Sequence, residues 1–210
     1  MGPVSYALTL VPALDRPDLL ADPVRDAIAG LDLIGSAIQV AEIDPDLADT
    51  AAFCERYQVP LAESANCVLI AGKRGGETRM AAALVLATTR ADVNGVLRRL
   101  LDARKASFAS RDVATGETGM EYGGITPYGL PADWPVYLDG AVAAAEQVVI
   151  GSGLRRSKLV VAGSLLAALP TASVVDGLAI PVGPNGSAGA PAGSSGAPAG
   201  SIGPAGSSAE

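Results

Sequence analysis

Residues 67–88 hold a short apolar run, a charged glycine turn and a second apolar run, and this arrangement ties the chain to folds built on an antiparallel strand pair. Residues 67–71 form the first run. Lys73, Arg74, Gly75, Gly76 and Glu77 form the turn, where two glycines supply positive φ. Residues 79–88 return as a long, mostly buried strand. Asp92 then caps a helix in which Val93, Val96, Leu97, Leu100 and Leu101 recur at i, i+3, i+4, i+7 and i+8. Asn94, Arg98 and Arg99 occupy its other face.

The flanking segments extend the pattern. Residues 13–34 read as helical through Leu19, Leu20, Val24, Ile28 and Leu31, with Pro17 and Pro23 interrupting the early part. Residues 35–43 have strand character. Asp46 or Asp49 caps a helix over 50–57 that buries Phe53 and Tyr57, and Pro60 ends it. A strand at 104–109, a helix-sized stretch stopping at Gly119, and strands at 136–139, 148–150 and 158–161 follow. A helix over 163–169 and a strand at 173–175 close the unit. The expectation is one α/β domain over residues 1–182, with a mixed, largely antiparallel sheet surrounded by helices. Residues 183–210 contain 8 Gly, 7 Ala, 6 Ser and 4 Pro, and the string GAPAGS occurs twice. Such a composition cannot bury enough apolar surface to offset chain entropy, so a disordered C-terminal tail is expected.

Half of the residues are hydrophobic and 18% are charged, enough for a sizeable core. No apolar run reaches the roughly 18 residues of a membrane span. The N-terminal segment lacks a basic stretch, and Tyr6 stands where a myristoylation motif wants Ser or Thr, so a cytosolic protein is expected. Cys54 and Cys67 fall in apolar patterns and read as core residues. The chain contains no His, which removes His-based metal sites, Ser-His-Asp triads and Cys-His pairs. No metal or cofactor is expected. The net charge of −7 is uneven: residues 1–65 carry 3 basic and 11 acidic residues, residues 66–160 carry 12 and 9. The cations cluster at Lys73, Arg74 and Arg79, at Arg98, Arg99, Arg104 and Lys105, and at Arg155, Arg156 and Lys158. They read either as solvated charge or as a patch for phosphates.

Six of the ten residues 122–131 are Gly, Pro or Thr, which marks a structured loop. In Gly123, Gly124, Ile125, Thr126 and Pro127, glycine lets backbone approach a ligand closely, and Pro127 stiffens the loop. Pre-aimed backbone donors of this kind can hold a carbonyl or an oxyanion without a charged side chain.

Residues 119–130 resemble the signature loop of the YbaK and prolyl-tRNA-synthetase-associated editing domains, which carry a G-x-x-x-P loop followed by an aromatic residue and Gly-Leu. Residues 136–139 are similar to that family's strand ending in Asp, and residues 149–153 to its strand with a Gly-rich turn. Residues 104–109 resemble the strand before its "tG" helix. The resemblance covers about residues 45–178. It implies trans-editing: hydrolysis of the ester joining a wrong amino acid to the tRNA 3′ end, without a protein nucleophile or metal. The implied partners are mischarged aminoacyl-tRNA and an aminoacyl-tRNA synthetase. The implied catalytic residues are Asn66, Gly123 and Asp139, and the implied substrate-binding residues are Gly124, Thr126, Pro127, Gly151, Ser152 and Gly153. One departure stands out. Asn66 occupies the position where active members carry a Lys, and Asn brings hydrogen bonds but no charge. Lys73, past the strand, is a poor substitute, and Lys105 could approach from a neighbouring strand. A non-catalytic binder of aminoacyl-tRNA, or of a nucleotide-like ligand, is therefore the alternative to a deacylase.

Overall fold

The computed structural model describes residues 6–31 and 37–182. The expected tail and residues 32–36, with the end of the expected first helix and the start of the expected strand at 35–43, lie outside the described residues. In chain order the elements are β1 (Val11–Pro12), α1 (Asp22–Ala29), β2 (Gln39–Glu42), α2 (Thr50–Tyr57), β3 (Ala65–Arg74), β4 (Glu77–Leu86) and β5 (Thr89–Ala91). A π-helical turn (Val93–Leu97) continues into α3 (Arg98–Leu100). Then come β6 (Lys105–Phe108), α4 (Arg111–Thr118), β7 (Val136–Asp139), α5 (Gly140–Ala143), β8 (Val148–Gly151), β9 (Ser157–Val161), α6 (Gly163–Ala167), β10 (Ala172–Val175) and β11 (Ala179–Pro181).

Two main sheets result, a four-stranded one in the order β1-β2-β9-β8 and a five-stranded one in the order β10-β7-β4-β3-β6. The first is antiparallel throughout; in the second, β7 runs parallel to both β4 and β10. A parallel bridge between Ser64 and Val149 brings β8 to the start of β3. Both faces of the central strand β4 are covered. Ala82 and Leu84 join the main core, with α1, Tyr128 and Trp134, while Ala81, Ala83 and Val85 join Ile70, Leu97 and Leu101 on the opposite face. Double coverage explains the continuous apolar run of β4. Each large aliphatic side chain buried this way contributes about 1.5–3 kcal/mol. A third cluster sets Phe53 of α2 against Val149 and Val160.

Local chemistry accounts for the element ends. Gly75 and Gly76 turn the β3–β4 hairpin with φ of 59° and 90°. Both strands run further towards this turn than the apolar runs suggest, because strand pairing continues through Lys73, Arg74 and Glu77. Pro17 sits in a 3-10 turn and Pro23 in the first turn of α1, so the expected long helix begins only at Asp22. Asp49 occupies the N-cap position of α2 without a side-chain cap bond; Asp44 caps the preceding 3-10 turn instead. Asp92 does cap, accepting from the N–H groups of Gly95 and Val96. The helix it starts opens with a wide turn, in which Leu97 N–H donates to Asp92 C=O. That turn offsets the 3.6-residue period, and Leu100, expected on the buried face, is 41% exposed.

Candidate functional site

The signature loop is zipped onto the turn between β8 and β9. Glu121 N–H donates to Gly153 C=O (2.8 Å), Gly153 N–H donates to Gly124 C=O (2.7 Å), and Arg155 N–H donates to the Glu121 carboxylate (2.6 Å). Contact is close enough that a Cβ on Gly124 would lie 2.7 Å from the Leu154 carbonyl, so only glycine fits. Gly123 is exposed at the loop's edge with φ +89°. The Arg155 guanidinium spans from Tyr122 C=O (3.3 Å) to Pro45 C=O (3.2 Å), strapping the loop to the segment before α2. Pro127 is buried. The hydroxyls of Thr126 and Tyr128 are buried and have no hydrogen-bond partner among the described residues.

Strand register brings distant residues into one row beside this loop. A Cβ on Gly151 would run into the carbonyls of Gly124 and Ile125, so the bare Cα of Gly151 is the floor under them. Asn66 lies beside Gly151 when the Ser64–Val149 register is carried two residues along. On the far side, Lys158 pairs directly with Gly151. Directly opposite residues face the same way, and Lys158 and Asn66 thus flank the glycine, about 10 Å apart across two strand spacings. The segment leading into α2 covers both: Lys158 Nζ donates to Ala48 C=O (3.2 Å), and the Thr50 hydroxyl donates to Asn66 Oδ1 (2.8 Å).

The other expected site residues are placed differently. Asp139 continues the row beyond Asn66, one step past the Leu84–Leu138 pair, but its carboxylate accepts from Ala141 N–H (3.0 Å) and Ala179 N–H (3.2 Å). It caps α5 and holds β11. Ser152 is fully buried and bonded to Ser157, whose hydroxyl donates to Leu19 C=O (2.6 Å). A Cβ on Gly153 would meet Ala21 and Val24. Ser152 and Gly153 therefore face α1, on the other side of the sheet from Gly151.

Sequence reasoning missed Lys158 as a member of this row. It grouped the residue with Arg155 and Arg156 as a charge cluster, although a Lys inside the apolar strand at 157–161 was the available signal. Lys158 is 9% exposed, and no carboxylate lies within ion-pair distance of it among the described residues. Its Nζ stands 5.3 Å from the centre of the Phe53 ring. Burial pushes its ammonium down to about 8; Cys54 and Asp49 oppose that shift and Arg155 adds to it.

A separate basic cavity of about 580 Å³ opens at the far end of β3, lined by Lys73, Arg98, Arg104 and Lys105 together with Asn94 and Ser107. Two clusters separated in sequence meet there because Lys105 pairs with Lys73. Arg74 and Arg79 are held by Asp102, which leaves those four cations without a carboxylate partner among the described residues. Seven strand residues separate Lys73 from Asn66, a distance of about 23 Å, so neither Lys73 nor Lys105 reaches the signature loop. Burial raises the Cys54 and Cys67 thiols, as for packed, unreactive cysteines. Among the described residues no group of His, Cys, Asp and Glu could hold a metal ion, and no helix is long and apolar enough to cross a membrane.

Comparison with known proteins places these features. Among solved structures, a candidate trans-editing enzyme for prolyl tRNA synthetase superposes with a TM-score of 0.63 at 22% identity, covering 74% of this chain and 94% of its own. A hypothetical protein, APE2540, superposes with a TM-score of 0.65 at 16% identity, covering 76% and 100%. A scaffold used for computational epitope grafting gives 0.63 at 22% identity, covering 74% and 95%. These likenesses show the fold. No curated protein matches the chain. The family model described as the aminoacyl-tRNA editing domain matches residues 44–169, which include α2, the signature loop and the row from Lys158 to Asp139, and the chain belongs to that family.

Proposed function

We propose that this protein is a trans-acting deacylase that hydrolyses the ester of mischarged tRNA. The observation that carries the reading is the convergence of Asn66, Gly151 and the carbonyls of Gly124 and Ile125 beneath the start of α2. Nothing local forces that meeting of residues from three separate segments. The rigid, zipped loop holds the ester carbonyl in place, with Gly123 at its exposed edge. Water or a substrate group attacks that carbonyl carbon; with water, the carbon–oxygen bond to the ribose breaks, the ribose oxygen takes up one of the water's protons, and the amino acid leaves as its carboxylate with the other proton released to solvent. Such chemistry suits a chain without His. A second sieve is useful because one methylene is worth only about 1–3 kcal/mol in a synthetase pocket. The structural likeness to a candidate trans-editing enzyme supports a synthetase as working partner, and the four-cation cavity suits phosphates of the tRNA backbone.

Asn66 favours a second reading, a non-catalytic binder of aminoacyl-tRNA, since its Oδ1 is occupied by Thr50 and it carries no charge. Incubating the purified protein with a panel of mischarged tRNAs and following loss of the amino acid separates the two. Turnover on any member supports the deacylase, and binding without turnover supports the binder.

A further inference from the structure

We infer that Lys158 is a further catalytic residue of this site, whose ammonium holds the ester end of the substrate beside the signature loop. The inference rests on the deacylase reading and adds to it a charge that the residues at 66 and 123–127 lack.

Three observations lead there. First, placement: Lys158 shares a sheet face with Gly151, and the missing side chain at Gly151 lets the carbonyls of Gly124 and Ile125 pack onto the strand between Lys158 and Asn66, which sets Lys158 beside the signature loop. Second, valence: an ammonium has three N–H donors, and among the described residues only Ala48 C=O takes one, at 3.2 Å. Third, cost: a nine-tenths buried cation without a counter-ion destabilises a fold. The charged or titratable groups facing it are Asp49 and Cys54 from α2 and Arg155 from the β8–β9 turn, none of them within salt-bridge reach. A Lys kept only for packing would be better replaced by Met or Leu. The unmet donors point to an acceptor brought by the ligand, such as the ester carbonyl and the oxyanion that grows on it during attack.

The test uses the full chain and two variants, K158M and N66K/K158M. The first keeps the apolar stem and removes the charge; the second returns an amine from the opposite side of Gly151. Deacylation of mischarged tRNA, the melting temperature, and binding of an amide-linked aminoacyl-adenosine that cannot be hydrolysed are measured on each. The inference expects K158M to lose at least tenfold in deacylation and in analogue binding while Tm holds or rises, with N66K/K158M regaining part of both. Unchanged deacylation or unchanged analogue binding in K158M overturns it. So does a loss that tracks a falling Tm and that N66K leaves unrepaired, since that pattern assigns Lys158 to packing. If the wild type hydrolyses no tRNA yet binds the analogue, the deacylase reading fails, and the binding arm alone decides whether Lys158 contacts the ester end. A wild type that neither hydrolyses nor binds overturns both.

Discussion

Arg155 and Gly123 are matched: the guanidinium Nη1 lies 2.6 Å from where a Cβ on Gly123 would stand, and it donates to the adjoining Tyr122 carbonyl. The exposed edge of the signature loop is thereby held by a flexible side chain, whereas the Gly151 floor beneath it meets backbone.

That contrast predicts two different outcomes for one substitution. Gly123→Ala places a side chain at φ +89°, at a cost of about 1–2 kcal/mol, and the end of Arg155 can swing aside. The variant folds and loses ligand binding. Gly151→Ala drives a methyl into the carbonyls of Gly124 and Ile125, which cannot yield without opening the zipped loop. It costs about 3 kcal/mol. Urea denaturation of the two variants checks the ordering, and equal losses would contradict it.

Stability should rise with pH above neutrality. The Lys158 ammonium titrates at about 8 in the folded chain, below its ordinary 10.5. From pH 8 upward the unfolded chain therefore holds a proton that the folded chain has released, and folding gains. The full gain is on the order of 3 kcal/mol. Cys54 and Cys67 act in the opposite sense from about pH 9, and Tyr6 and Tyr128 above pH 10, because burial raises all four groups and the unfolded chain ionises first. Denaturation midpoints between pH 7 and 9 should climb for the wild type and stay flatter for K158M. Parallel curves would show that Lys158 does not titrate there.

The basic cavity should set the salt dependence of tRNA binding. Each phosphate that a cation no longer neutralises lowers the slope of log K against log salt by about 0.7–0.9. Arg104→Ala and Lys105→Ala together should weaken tRNA binding and flatten that slope, while hydrolysis of an aminoacyl-adenosine ester stays unchanged, because the cavity is about 23 Å of strand from Asn66. An unchanged slope would remove the cavity from the tRNA path.

Removing residues 184–210 should leave folding and ligand binding unaltered, because Ile202 is the only large apolar side chain in that segment. A Tm lowered by several degrees on truncation would contradict this.

Elements set by neighbouring residues are legible in the amino-acid sequence alone. Gly75 and Gly76 turn the hairpin, Asp92 caps the helix after it, and Gly119 ends α4 with φ +65°. Each depends on backbone conformation or capping within a few positions. The signature loop is legible as a pattern, and so is its place ahead of a strand ending at Asp139. Tertiary structure decided what the strand registers decide. The bridge from Ser64 to Val149 sets Asn66 beside Gly151, and the pairing of β8 with β9 puts Lys158 on the same face while turning Ser152 and Gly153 towards α1. A slip of one residue in either register would reverse every one of those side chains. The burial of Lys158 depends on α2 packing across it from a segment about 100 positions away, and no local pattern in a strand records what will cover it.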